Sequence, residues 1–192
     1  MKKITVINGH PNTLAFNHGL VEAYVNGAKS SGAEVRVLTL AMMQFDVNLR
    51  YGYQKRMDLE PDLIKALEDI RWADHLVWVH PVWWGGLPAL MKGFIDRLFL
   101  PGITFKYRPN SIFWDKLLKG KTARIITTLD QPGWYYWLKF GRPSVNQLKK
   151  STLEFCGVSP VKVTYIGIIR SSKEEQRARW LEKVKNIGRA LN

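Results

Sequence analysis

Residues 75–99 read HLVWVHPVWWGGLPALMKGFIDRLF. The first five, 75–79, form an apolar run of strand length. Pro81, Trp83, Trp84, Gly85, Gly86 and Pro88 then interrupt any regular element. From Pro88 the apolar spacing turns helical. Leu90, Met91, Phe94, Ile95, Leu98 and Phe99 recur three or four apart, and Pro88 suits a first turn. This is a strand, an aromatic and glycine-rich loop, and a helix. A loop of that kind at the carboxyl end of a central strand is where open α/β sheets place ligands.

The flanking sequence repeats the pattern. Residues 3–7 are a short β-rich run that breaks at Asn8-Gly9-His10-Pro11-Asn12. A helical spacing of Phe16, Leu20, Tyr24 and Ala28 follows and runs out at Ser30-Ser31-Gly32. Residues 34–40 predict a second strand, and 41–59 an irregular segment of the length that is usually functional or mobile. Glu60-Pro61-Asp62 opens a helix that ends near Trp72. Residues 102–121 read as irregular, and 122–128 as strand four. Residues 129–143 read as a loop holding the aromatic block Trp134-Tyr135-Tyr136-Trp137. A helix over 145–155, strand five over 162–168, a capping box at Ser172-Lys173-Glu174-Glu175 and a last helix complete the chain. Strands alternating with helices predict a parallel sheet covered on both faces. Five strands favour the flavodoxin-like order 2-1-3-4-5 in one domain, 1–192. In that order the loops 10–17, 80–88 and 127–136 converge.

Composition sets bounds. The chain has 192 residues, 46% hydrophobic and 23% charged, within the range of ordinary globular material. No apolar run approaches a membrane-spanning length, and the start lacks a signal-peptide core, so the expected location is the cytoplasm. A single cysteine, Cys156, excludes an internal disulfide and a cysteine-based metal cluster, and it reads as packing. The net charge is +13; from Lys121 onward 14 basic residues face 5 acidic ones, so nine of the thirteen lie there. Such an excess attracts nucleic acid, anionic membrane or a phosphate-bearing cofactor, or is simply a solvated basic surface. Aromatic and basic residues do not interleave along any strand, which argues against nucleic acid.

Each converging loop holds candidate donors. The first opens a helix, the position for a phosphate on backbone N–H groups, and adds His10, Thr13 and Asn17; alternatively Thr13 is only a helix cap. In the second, Trp83 and Trp84 flank a planar ring, with the peptides of Val82 to Gly85 at its polar edge, or they are packing. The third brings Thr127 and Thr128, Asp130 as an acceptor or loop cap, and Tyr135 as a phenolic donor. The aromatic block is otherwise a patch for self-association or a membrane interface. His10 and His80 lack a carboxylate or cysteine to complete a metal site.

Three stretches carry a resemblance: Gly9-His10-Pro11 with Phe16-Asn17; His80-Pro81-Val82-Trp83-Trp84-Gly85 through Pro88 to Phe99; and Thr127-Thr128. Phe155-Cys156-Gly157 agrees as well. The chain resembles the flavodoxin-like NAD(P)H:quinone oxidoreductases, a family that includes DT-diaphorase and the ancillary flavoproteins of bacterial potassium-efflux systems. The resemblance implies a bound flavin, FMN with FAD as the alternative. His10, Phe16 and Asn17 would hold its phosphate side, Pro81, Val82, Trp83, Trp84 and Gly85 would line the ring, and Thr127, Thr128 and Tyr135 would close the other edge. It implies NADH or NADPH as donor, a quinone-like acceptor, ping-pong turnover and a homodimer. Tyr135 is the expected catalytic donor, and Arg50, Lys55 and Arg56 are expected to attract the dinucleotide phosphates. A redox-sensing regulator docked on a membrane transporter is the alternative role. Two departures stand out: Ala15 where members often have serine, and Leu129-Asp130 where they usually have a glycine pair. The lack of a long C-terminal extension favours FMN in this reading.

Overall fold

The structure is a computed structural model, and it describes residues 1–191. Five parallel strands form the main sheet: β1 (Lys3–Asn8), β2 (Glu34–Thr39), β3 (His75–Pro81), β6 (Thr122–Thr128) and β7 (Val161–Ile166). Their order is β2-β1-β3-β6-β7, the flavodoxin-like order expected, with β3 at the centre. All seven residues of β3 are buried, as a strand covered on both faces requires. Alternation along β3 and β6 divides the core. Leu76, Trp78 and Ile125 face α2 (Pro61–Trp72) and α3 (Ala89–Leu98), packing with Ile70, Phe94 and Leu98. Val77, Val79 and Ile126 face α1 (Phe16–Ser30) and α6 (Glu174–Arg189), packing with Leu20, Tyr24 and Val184. The latter two helices touch backbone to backbone. A Cβ on Gly27 would lie 2.0 Å from Lys185 O, and one on Gly188 2.2 Å from Tyr24 O.

Several local expectations need correction. The segment 102–121 contains an antiparallel hairpin, β4 (Phe105–Tyr107) with β5 (Trp114–Lys116), too short to read from periodicity. The aromatic block is not a loop: it forms helix α4 (Gly133–Phe140), which ends on Gly141 at φ 66°, a left-handed stop that glycine adopts freely. The helix expected over 145–155 starts as α5 (Pro143–Asn146) and widens to π geometry over Gln147–Glu154. Pro88 sits at the N-cap of α3, just before its first turn. Ser172 makes no capping box; its hydroxyl donates to Ile169 O and accepts from Arg177 Nε, while Lys173 is the N-cap.

The segment 43–60 is long and mostly irregular, as expected, and one buried cation holds it. Arg97, 1% exposed, donates to both carboxylate oxygens of Glu60 at 3.0 and 2.8 Å and to the carbonyls of Asp46 and Asp58 at 2.6 and 2.8 Å.

Candidate functional site

The carboxyl ends of β1, β3 and β6 lie side by side, so the three loops leaving them meet. Backbone bonds tie them: Gly9 N–H donates to Val79 O at 2.8 Å, and Val82 N–H to Thr128 O at 2.8 Å. The His10 imidazole meets the Trp83 indole edge-on, 5.4 Å between centroids.

The first loop is shaped by side chain to backbone bonds. His10 N–H donates to Asn8 Oδ1, Asn12 N–H to His10 Nδ1, and Leu14 N–H to Asn12 Oδ1. Burial lowers the His10 pKa, with a smaller opposing effect from the Asn12 backbone. Ala15 is the N-cap of α1 and supplies no side-chain cap, so the helix start keeps its N–H groups for other partners. Thr13 is half-buried and does not cap the helix. Phe16 packs on Trp180 of α6 at 6.2 Å and under the Arg177 guanidinium at 5.7 Å. Asn17 is buried; its Oδ1 accepts from Thr128 Oγ1 at 3.2 Å and its Nδ2 has no partner.

The second loop is a tight turn. Trp84 at φ 51° and Gly85 at φ 76° are its central residues, closed by Gly86 N–H to Trp83 O at 2.8 Å and Trp83 N–H to Gly86 O at 3.2 Å. Two positive φ values in succession make a type I′ turn. A left-handed tryptophan costs roughly 1–2 kcal/mol, and Trp84 recovers little of it by packing, because its indole is fully exposed. What holds the turn is polar. Tyr136 Oη donates to Gly85 O at 2.8 Å and accepts the Ser144 N–H at 3.1 Å, with Ser144 Oγ a further 2.8 Å away; Ser144 N–H also reaches Gly85 O at 3.0 Å. Val82 packs with Leu129, Tyr136 and Val145 beneath.

The third loop divides its residues. Thr127 Oγ1 is buried without a partner, while Thr128 pairs with Asn17. Asp130 acts as a loop tie: its Oδ1 accepts the Arg170 N–H at 2.7 Å. Tyr135 is 38% exposed and sits edge-on to Trp134 and Phe140. Lys55 and Arg56 are not in this constellation. They line a groove of about 160 Å3 with Leu100 and Pro101, beyond the far end of α3, and Arg50 pairs with Asp46. Among the described residues no group of three or more metal-ligating side chains exists.

Sequence reasoning missed three residues here. Asn8 ends an apolar strand, is wholly buried and leaves its Nδ2 unpaired; a polar residue closing such a run was the available signal. Tyr136 and Ser144 escaped because only the phase of α4, invisible in a presumed loop, tells Tyr136 from Tyr135.

The chain is similar to proteins already described. It is 27% identical to NAD(P)H dehydrogenase [quinone] 1 of Cavia porcellus over 217 aligned residues, covering 97% of this chain and 78% of that protein. Among solved structures, Smu.1420 from Streptococcus mutans UA159 superposes with a TM-score of 0.86 at 34% identity, over 99% of this chain and 100% of that one. An FMN-dependent NADH-azoreductase of Bacillus anthracis, solved with FMN, shares the fold at a TM-score of 0.74 and 17% identity, over 100% and 99% of the two chains. The family model described as flavodoxin-like fold matches residues 2–187, so the chain belongs to that family, in which its relatives include NAD(P)H dehydrogenases acting on quinones.

Proposed function

We propose that the protein is a flavin-dependent NAD(P)H oxidoreductase that passes two electrons to a quinone-like acceptor. The observation that carries this reading is the set of buried unpartnered donors at the ends of β1 and β6 and the start of α1. Asn8 Nδ2 at the end of β1, Thr127 Oγ1 near the end of β6 and Asn17 Nδ2 in the first turn of α1 are all buried and unpartnered. Buried donors without partners cost about 1–3 kcal/mol each, and a ligand rich in acceptors relieves that. A flavin mononucleotide is such a ligand.

His10, Thr13, Phe16 and Asn17 at the open start of α1 would hold the phosphate side, where the helix dipole favours negative charge. Pro81, Val82, Trp83, Trp84 and Gly85 would line the ring, and Thr127, Thr128 and Asp130 its opposite edge. When bound, the flavin supplies the hydride acceptor and the two-electron donor. The chain's own contribution is placement. Trp83 and Trp84 would offer flat apolar surface that excludes water from one face, and the N–H groups of the turn other than those of Trp83 and Gly86, which already bond each other's carbonyls, would favour negative charge on the ring together with the Tyr135 hydroxyl. Donor and acceptor would use the same open face in turn, a ping-pong scheme. FMN as the flavin, NADH or NADPH as donor, one domain, a homodimer and a cytoplasmic setting complete the reading. Among the described residues no helix is long and apolar enough to cross a membrane.

The test is the absorption spectrum of the purified protein, with the cofactor released and weighed, followed by NAD(P)H-dependent quinone reduction. A yellow protein releasing FMN and turning over is expected. A colourless protein that takes up neither FMN nor FAD overturns the reading.

A further inference from the structure

Helix α4 carries an exposed apolar ridge. Tyr136 points inward and is fully buried, so at 3.6 residues per turn Trp134 and Leu138, two positions either side, project outward; they are 64% and 68% exposed. Trp137 borders them, about half exposed, while Phe140, four positions after Tyr136, lies towards the other side against Tyr135. The charge around the ridge is positive. Residues 129–146 and 167–173 hold four cations, Lys139, Arg142, Arg170 and Lys173, against one carboxylate, Asp130. That carboxylate is already engaged by Arg170 through both its N–H, at 2.7 Å, and its Nε, at 3.8 Å. The Arg142 guanidinium lies over the Trp137 ring at 5.7 Å. The whole chain, at +13, has the same sign.

We propose that this ridge is a peripheral docking site for an anionic lipid bilayer. Indole rings favour the headgroup level, with an apolar body and a wet N–H. Leu138 matches the acyl boundary just below, as on helices that lie in the plane of a membrane surface. Lys139, Arg142 and Arg170 face headgroup phosphates, and each basic residue near an anionic leaflet strengthens attachment. A second copy of the chain fits the ridge less well. Two half-exposed indoles and one leucine offer on the order of 300 Å2, against the roughly 800 Å2 per partner of a stable interface. Pairing two such ridges would also bring like charges together.

The ridge is rigidly linked to the loops described above, because Tyr136 on its inner side bonds Gly85 O at 2.8 Å. Docking therefore fixes the orientation of the Trp83–Gly86 turn, on the inner side of α4, relative to the lipid surface, and it does not rest on the redox reading.

The test is co-sedimentation of the whole chain with vesicles of phosphatidylcholine, alone or mixed with phosphatidylglycerol. Binding to the anionic vesicles is expected, weakened by salt, and roughly tenfold poorer to the neutral ones. The double variant Trp134→Ser with Leu138→Ser should lose roughly tenfold or more, and Lys139→Gln and Arg170→Gln about fivefold each. Circular dichroism identifies any variant that fails to fold, in which case the two charge variants decide. No binding of the native chain to anionic vesicles, or native-like binding by the folded double variant, overturns the proposal. So does a ridge whose loss abolishes self-association in sedimentation velocity while the native chain ignores vesicles. The cofactor spectrum and turnover without lipid report on the redox reading separately.

Discussion

Tyr136 Oη makes three contacts, to Gly85 O, Ser144 N–H and Ser144 Oγ, all within 3.1 Å and all away from water. Removing that oxygen leaves Gly85 O with one donor and the Ser144 hydroxyl facing an apolar ring. Tyr136→Phe should therefore destabilise by about 1–3 kcal/mol and loosen the Trp83–Gly86 turn, read as a lower urea midpoint and faster amide exchange at Gly86. Tyr135, one residue earlier, is partly exposed. Tyr135→Phe should leave stability within about 0.5 kcal/mol and instead slow the reductive or oxidative half-reaction. Equal urea midpoints for the two variants would contradict the division of labour. The pair also marks the limit of the sequence at this scale. That Thr127, Thr128, Pro81 and Val82 sit near strand ends was readable from where the strand runs break into loops. Which of two adjacent tyrosines points inward depends on a helix whose start and stop, Pro132 and Gly141, look like loop residues until their dihedral angles are known.

At the scale of elements, Arg97 makes α3 an anchor for the segment 43–60. Its guanidinium meets Glu60 in a two-point pair, with a side chain 1% exposed against 30% for Glu60, and takes two backbone carbonyls besides. Burial pushes the Glu60 carboxyl up, but bonds from Arg97 and from the N–H groups of Asp46 and Glu60 outweigh it, and the net shift is downward. Arg97→Met should cost about 3–5 kcal/mol, because it strands a carboxylate and two carbonyls, and should expose residues 43–59 to limited proteolysis. Cleavage there at the native rate would mean that the loop is held otherwise. The sheet and its flanking helices were legible because each strand and amphipathic helix announces its own period. The β4–β5 hairpin was not, since three-residue strands carry no period, and neither was the π turn over Gln147–Glu154, which departs from the 3.6-residue spacing over only eight residues.

At the scale of the molecule, the central strand β3 has a buried histidine at each end. Burial, then the charges of Lys2, Arg124 and Lys162, lowers His75 to about 3. Burial lowers His80 to about 4, against the bond to Pro81 O. That bond, at 3.0 Å to a carbonyl, requires the proton on Nδ1, and Nε2 is left buried with no partner to receive a second N–H. His10 is lowered too, again by burial first. The unfolded chain binds protons at these residues from about pH 6.5 downward, while the folded chain resists until near pH 3–4. The unfolded state thus holds more protons across that window, and stability must fall as pH falls through it, by on the order of 1.4 kcal/mol per pH unit for each histidine at the steepest. Carboxylates contribute little above about pH 5, so between about pH 7 and pH 5 the buried histidines set the slope. Urea unfolding across that range should show a steady loss of stability, and His80→Gln, uncharged at every pH, should flatten the slope by roughly half. A native protein equally stable at both ends of the range would mean that β3 accommodates its imidazolium ions, contrary to the burial seen at both positions.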